Sequence, residues 1–132
     1  MKVNTFLILF LLTSCSLFSQ NWLNIDQKEF FGGKNIEVQS LSSNQHSSSF
    51  LIVVEDSVRK HYHSEHTESL YVLEGSGKIL LGDEIIVVKK GDFITIQPKT
   101  VHAVWVESDV ALKVLSIQAP EFKGSDRIFI EE

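Results

Sequence analysis

The chain has 132 residues, a mass of 14.9 kDa and a formal net charge of -5 at pH 7. That length supports one domain with its own hydrophobic core and is too short for two ordinary domains. Lysine and arginine never form a cluster longer than a pair, so the sequence offers no basic track for phosphate groups. Nucleic-acid binding is therefore not expected.

Residues 1–19 have the layout of a secretory signal peptide. Lys2 precedes an apolar block from Phe6 to Leu12, and small and polar residues follow. This block is too short for a stable transmembrane anchor. We therefore expect export to the periplasm or the extracellular space, with a mature chain that begins at Gln20.

A second ending of this signal competes with the first. The stretch from Leu12 to Cys15 resembles the end of a bacterial lipoprotein signal, in which Cys15 is lipidated and anchors the protein to a membrane. Membrane association is expected only in that case. Cys15 is also the only cysteine, so the domain has no disulfide and its stability must come from its core.

The segment over residues 20–35 carries Trp22, Phe30 and Phe31 ahead of the first clear strand pattern. Two interpretations fit this segment. It is either an N-terminal arm that packs on the following domain or a strand exchanged with a second subunit.

Residues 36–132 have the pattern of an all-β domain. Short apolar runs alternate with glycine, asparagine, aspartate and serine, and no stretch keeps a 3.6-residue period over three turns. The predicted strands are Ile36–Leu41, Ser49–Glu55, Val58–His63, Glu68–Glu74, Lys78–Leu81, Glu84–Lys89, Phe93–Gln97, Val101–Val106, Val110–Gln118 and Arg127–Ile130. Short strands at this spacing favour a sandwich or barrel, and a jelly roll closes most of the exposed strand edges.

Three of the predicted strands carry a group of potential metal ligands. Successive side chains of a strand point to opposite faces, so His61 and His63 project together while Tyr62 projects away. Glu68 begins the next strand and can face both imidazoles, and His102 begins a later one. Three neutral nitrogens and one carboxylate suit a divalent transition metal such as Fe, Mn, Ni, Cu or Zn. From local spacing alone, ordinary exposed strand histidines remain the alternative.

The same residues resemble the two motifs of the cupin superfamily, and the resemblance extends from about Ile36 to Gln118. The first motif is matched by His61, His63, Glu68 and Gly75, and the second by Gly91, Pro98 and His102. The resemblance implies a small jelly-roll barrel, also called a double-stranded β-helix. It also implies that His61, His63, Glu68 and His102 are the metal ligands. A six-coordinate ion would then keep two positions for water or substrate.

Four positions depart from the usual motifs, and none of them is a ligand position. Glu55 and Lys99 stand where glycine is usual, Gln97 where the first proline is usual, and Val106 where asparagine is usual. Lys99 bears most on the site, because a residue other than glycine resists the positive φ expected in the turn before His102.

Side chains around the predicted ligands divide into inward and outward positions. Leu70 and Val72 share the parity of Glu68 and should line the barrel, whereas Tyr71, Leu73 and Trp105 should lie on its outside. An apolar outer patch of this kind usually marks an interface, which predicts a homodimer. His66, in the loop between two ligands, is interpreted as a solvated histidine rather than a ligand or an acid/base group.

Two functions fit a metal-binding barrel of this kind. One is a small-molecule metalloenzyme, dioxygenase- or isomerase-like, and the other is a non-catalytic module that binds or stores a small molecule in the same cavity. The fold and the ligand set do not choose between them, because similar sites support several chemistries. The sequence therefore predicts a small-molecule ligand but names no reaction.

Overall fold

The fold is taken from a computed structural model, which describes residues 22–28, 30 and 32–131. The predicted signal peptide over residues 1–19, Cys15 and Phe31 lie outside the described residues. Across the described ranges, no helix combines the length and the hydropathy needed to cross a membrane.

The regular secondary structure of the described residues is almost entirely β-strand, which confirms the predicted all-β class. All ten predicted strands are present, with one 3₁₀ turn at Ile25–Gln27 before them. The strands are β1 (Ile36–Asn44), β2 (Ser47–Val54), β3 (Ser57–His63), β4 (Thr67–Glu74), β5 (Ser76–Leu81), β6 (Glu84–Lys89), β7 (Phe93–Ile96), β8 (His102–Val106), β9 (Leu112–Ala119) and β10 (Arg127–Phe129).

The hairpin between β1 and β2 is longer than expected. The first predicted strand ends at Leu41, but residues 42–44 also pair with β2 and the chain reverses at residues 45 and 46. The side-chain oxygen of Asn44 accepts hydrogen bonds from the backbone N–H groups of His46 and Ser47, at 2.8 and 3.3 Å. An asparagine that bonds the backbone beyond it fixes a tight turn, which accounts for the shift.

The ten strands form two five-stranded antiparallel sheets, ordered β1-β2-β9-β4-β7 and β10-β3-β8-β5-β6. Their inner faces enclose the hydrophobic core, as in a jelly roll. Leu70 and Val72 are 6% and 0% exposed, whereas Tyr71 and Trp105 are 41% and 38% exposed. The predicted division into inward and outward positions is therefore confirmed at these residues.

Gly75, the last residue of the first motif, is required by the close approach of two chain segments. It joins β4 to β5 with a φ of 78°, in the left-handed region that favours glycine. A Cβ atom at this position would lie 2.6 Å from the carbonyl oxygen of Ala111. A side chain here would therefore push β4 away from the start of β9.

Candidate metal centre

The two sheets bring the four predicted ligands to one end of the barrel. His61 and His63 lie on β3, His102 lies on the paired strand β8 directly opposite His61, and Glu68 lies on β4 of the facing sheet. One ring nitrogen of each histidine lies within 4.8 Å of those of the other two. All four side chains are buried, with 2% to 5% of their surface exposed. The structure therefore brings the four predicted residues together at one place.

Two backbone carbonyls fix the orientation of the imidazoles. Nδ1 of His61 lies 2.8 Å from the carbonyl oxygen of Arg59, and Nδ1 of His102 lies 2.9 Å from that of Thr100. A carbonyl oxygen only accepts hydrogen bonds, so Nδ1 is the protonated nitrogen in each ring. The Nε2 lone pairs of both rings are thereby left available to a metal ion.

His63 and His102 present buried nitrogens that have no hydrogen-bond partner. Both ring nitrogens of His63 and Nε2 of His102 belong to this group. Buried polar atoms are nearly always paired, because leaving them unpaired costs free energy. A cation bound between these rings would satisfy the two Nε2 atoms, so the donor set fits a metal ion.

Glu68 supplies the negative charge of the site. Its Oε1 accepts hydrogen bonds from Oγ of Ser116 at 2.5 Å and from Nε2 of Gln118 at 3.1 Å. Its Oε2 lies 3.4 Å from Nε2 of His63 and 3.5 Å from Nε2 of His102. Burial by itself raises the pKa of Glu68, but the contacts with His102 and His63 and the hydrogen bond from Ser116 hold this pKa well below its usual range. The carboxylate is therefore ionised near neutral pH.

His61 is held in its neutral form. Burial, followed by the proximity of His102, lowers the pKa of His61 from 6.5 to about 4. A histidine must be neutral to donate a lone pair to a metal, so no proton has to leave this ring at neutral pH before a metal can bind.

His66 differs from its prediction as a solvated loop histidine. It is only 4% exposed. Its Nδ1 forms a short hydrogen bond with the carboxylate of Asp126, and its Nε2 lies 2.7 Å from the carbonyl oxygen of Glu121. Both ring nitrogens are thus engaged by oxygen atoms. The prediction was wrong because these partners follow His66 by more than 50 residues and are brought to it by the folding of the C-terminal segment.

Asp126 organises the loop between β3 and β4, which joins His63 to Glu68. Its carboxylate accepts hydrogen bonds from the backbone N–H groups of Ser64, Glu65 and His66 at 3.0 to 3.2 Å, and also from the Ser64 hydroxyl. Burial raises the pKa of Asp126, but the hydrogen bonds from Ser64 and His66 prevail and lower it from 3.8 to about 2. The loop therefore folds around an ionised carboxylate.

Lys99 adopts the positive φ that its motif position requires, with a value of 66°. Its backbone N–H donates a hydrogen bond to the carbonyl oxygen of His63 at 2.6 Å. This bond connects the turn before His102 to the end of β3, and it offsets part of the cost of a left-handed conformation at a residue other than glycine.

A small cavity between the two sheets adjoins three of the four candidate ligands, His61, Glu68 and His102. Its volume is about 60 Å³, and most of its lining is aliphatic. The titratable side chains that line it are His61, Glu68, His102 and Arg127. Arg127 is the first residue of β10 and was not among the predicted site residues.

Sequence reasoning also missed the two residues that hold Glu68. Ser116 and Gln118 are 0% and 1% exposed on β9, where they continue the inward parity of Leu112 and Val114. Two polar residues at consecutive inward positions were the available signal, because a buried polar side chain needs a partner inside the barrel.

The sequence is similar to a known protein family and to two proteins of other organisms. The family model for the cupin domain matches residues 49–118. An uncharacterized protein of Aquifex aeolicus is 33% identical over 98 residues, which cover 74% of this chain and 80% of the relative. The protein MJ1618 of Methanocaldococcus jannaschii is 42% identical over 74 residues, which cover 56% of this chain and 58% of that relative.

Solved structures share the fold at low sequence identity. A Klebsiella pneumoniae protein with a double-stranded β-helix domain superposes with a TM-score of 0.74 at 14% identity, covering 86% of this chain and all of the other. KdgF from Halomonas sp. superposes with a TM-score of 0.70 at 14% identity, covering 80% of this chain and 97% of the other. The Streptomyces protein Pac13 superposes with a TM-score of 0.69 at 17% identity, covering 86% of this chain and 92% of the other.

Proposed function

The chain belongs to the cupin family, and from that premise we propose that it binds a divalent transition metal through His61, His63, Glu68 and His102. In this proposal the cavity beside the metal holds a small molecule. The candidate ions are Fe, Mn, Ni, Cu and Zn, all of which accept imidazole and carboxylate ligands.

The observation that carries the proposal is the set of buried ring nitrogens without hydrogen-bond partners. Nε2 of His63 and Nε2 of His102 both lie close to Oε2 of the ionised Glu68. The ionised carboxylate contributes a negative charge and the unpaired ring nitrogens contribute lone pairs, and both features favour a cation. When bound, the ion supplies a Lewis acid that polarises an oxygen atom of the ligand.

Elemental analysis of protein purified from its native compartment tests the proposal. We expect about one divalent transition metal ion per chain, because four side chains converge on one point. Protein that contains no transition metal as isolated, and takes up none when each of the five ions is supplied, would contradict it.

The small-molecule part of the proposal has support at the level of the fold. A structure of Streptomyces Pac13 was obtained with uridine, and Pac13 is a nucleoside dehydratase. Within the described lining of this chain's cavity, the titratable groups are three of the proposed ligands and Arg127, so a dioxygenase- or isomerase-like reaction would depend on the metal rather than on a separate side-chain base. The alternative function is non-catalytic binding or storage.

These two functions are separated by the fate of a bound compound. The metal-loaded protein is incubated with a pool of small metabolites, with and without dioxygen, and the mixture is followed by NMR. A metalloenzyme should convert a compound that perturbs the metal site. A storage module should release the same compound unchanged after denaturation.

We also propose export, and a Cys15→Ser variant tests its route. With cleavage before Gln20, the variant should give the same mature mass as the wild type, because the changed residue is removed with the signal. With lipoprotein processing, the variant should accumulate as a larger precursor. The intact mass of the wild type is the second measurement: a diacyl or triacyl adduct on Cys15 supports lipidation, and a chain that starts at Gln20 supports secretion. A cytoplasmic chain that retains residues 1–19 would contradict export.

A homodimer is proposed from the outer face of the first sheet. Tyr71 and Phe93 pair directly across β4 and β7 and are 41% and 64% exposed. Trp105 lies on the other sheet, so the expected single patch with Tyr71 is not formed.

Wild-type protein at micromolar concentration should scatter light as a dimer, and Phe93→Asp should scatter as a monomer. Ile85→Asp, at an exposed position of β6, is the matched control and should leave the dimer intact. A monomeric wild type would contradict the proposal.

A further inference from the structure

Arg127 is a charged residue whose side chain is not satisfied by the rest of the described chain. Its Nε atom is buried and has no hydrogen-bond partner, and among the described residues it forms no ion pair. Its guanidinium lies over the ring of Phe122, 5.8 Å from the ring centroid. A buried guanidinium nitrogen without an acceptor is costly, so the side chain is suited to an acceptor from outside the chain.

The position of β10 directs Arg127 toward the candidate metal centre. In the antiparallel pairing of β10 with β3, Arg127 lies directly opposite His63, and directly opposed residues share a face of the sheet. Arg127 also lines the cavity together with His61, Glu68 and His102. The half-buried guanidinium therefore borders the same cavity as three of the candidate ligands.

The charges of this space favour an anion. Glu68 contributes one negative charge and Arg127 one positive charge, and the remaining lining of the cavity is apolar apart from His61 and His102. A divalent cation added to this balance would leave an excess of positive charge in a largely aliphatic cavity. Such an excess is unfavourable unless a ligand brings negative charge with it.

The size and shape of the site restrict the ligand further. A volume of about 60 Å³ holds only a few atoms beyond those that contact the ligating side chains. The guanidinium group is planar and presents its N–H donors in a fork that matches a carboxylate. The aliphatic lining suits a short apolar body.

We propose that Arg127 is a specificity-determining residue that binds the carboxylate of a small monocarboxylic acid in the cavity beside the candidate metal centre. This inference rests on the proposed function, since the metal contributes to the charge that selects an anion. It names the substrate class that the sequence could not supply: a small organic acid with a compact aliphatic body.

Isothermal titration of two matched probes tests the inference. Isobutyrate and isobutyramide have the same number of heavy atoms and differ in charge, and each is titrated into the zinc-loaded and the metal-free protein. The wild type should bind isobutyrate at least about tenfold more tightly than isobutyramide, as expected for one hydrogen bond to a charged group. Arg127→Met should lose most of this preference, and Arg127→Lys should retain a larger part of it. Arg59→Met is the control, because Arg59 is the only other arginine and is exposed outside the cavity.

The outcomes separate this inference from the proposed function. Equal binding of the two probes by the wild type, no binding of isobutyrate, or an unchanged preference in Arg127→Met would overturn it, even if all variants retain metal. Loss of the preference in Arg127→Met with unchanged metal content would support it. A chain that binds no metal but still prefers isobutyrate through Arg127 would refute the metal proposal and leave the role of Arg127 intact. If Arg127→Met does not fold, the partial preference of Arg127→Lys decides, and a preference equal to that of the wild type would overturn the inference.

Discussion

The variant His63→Ala should lose nearly all of its bound metal. His63 lies close to the other three candidate ligands: its ring centroid is 5.5 Å from that of His61 and 5.4 Å from that of His102, and its Nε2 is 3.4 Å from Oε2 of Glu68. Losing only an outer hydrogen-bond partner of a ligand costs about 10- to 100-fold in metal affinity, so losing a ligand should cost at least that much. Elemental analysis after dialysis is the measurement, with an expected fall from about one ion per chain to below about a tenth of that.

Thermal unfolding provides a second readout of the same variant. A ligand that binds only the folded state stabilises it, by about 2.7 kcal/mol when its concentration is 100 times the dissociation constant. Adding metal should therefore raise the melting temperature of the wild type and leave that of His63→Ala unchanged. His46→Ala removes an exposed histidine of the β1–β2 turn and should behave like the wild type. Retention of near-stoichiometric metal by folded His63→Ala would show that the ligand set is wrong.

The clustering of the four candidate ligands could be predicted because it follows from strand alternation and the motif spacing. His61 and His63 differ by two positions on one strand, which is enough to place them on the same face. Glu68 and His102 each begin or nearly begin a strand, so their inward direction follows from the parity of the apolar residues after them. None of these inferences needed the partners of the strands to be known.

The support of the site could not be predicted in the same way. Asp126 meets the loop at residues 64–66 across a separation of about 60 residues, and this contact exists because β10 pairs with β3. A three-residue strand near the end of a chain carries no pattern that reveals its partner. His66 was misjudged for the same reason, since its burial depends on Asp126 and Glu121.

Arg127 shows a related limit of sequence reasoning. Strand alternation places Arg127 and Ile128 on opposite faces of β10. It does not indicate which of these two faces meets the barrel interior. The register with His63 decides this, and the register is a tertiary property. A charged residue at an inward position could therefore be recognised only from the fold.

The variant Asp126→Ala should be the most destabilising single change at this end of the barrel. It removes the acceptor for three backbone N–H groups and for the side chains of Ser64 and His66, at a residue that is 8% exposed. Breaking a buried charged interaction by removing one partner costs about 3 to 5 kcal/mol, because the remaining donors stay buried and unpaired. Urea unfolding should show this loss in the free energy of unfolding. Asp109→Ala, in an exposed turn, is the control and should change stability by less than about 0.5 kcal/mol.

The pH dependence of the same pair of proteins tests the cause of this loss. The pKa of Asp126 is lowered from 3.8 to about 2 in the folded protein, so its ionised form contributes stability that is fully present above about pH 4 and is lost as the pH falls toward 2. The difference in free energy of unfolding between the wild type and Asp126→Ala should therefore be constant from neutral pH down to about pH 4 and shrink below it. A difference that stays constant down to pH 2 would show that the carboxylate charge does not stabilise the loop. In that case the lost packing of the side chain would account for the destabilisation.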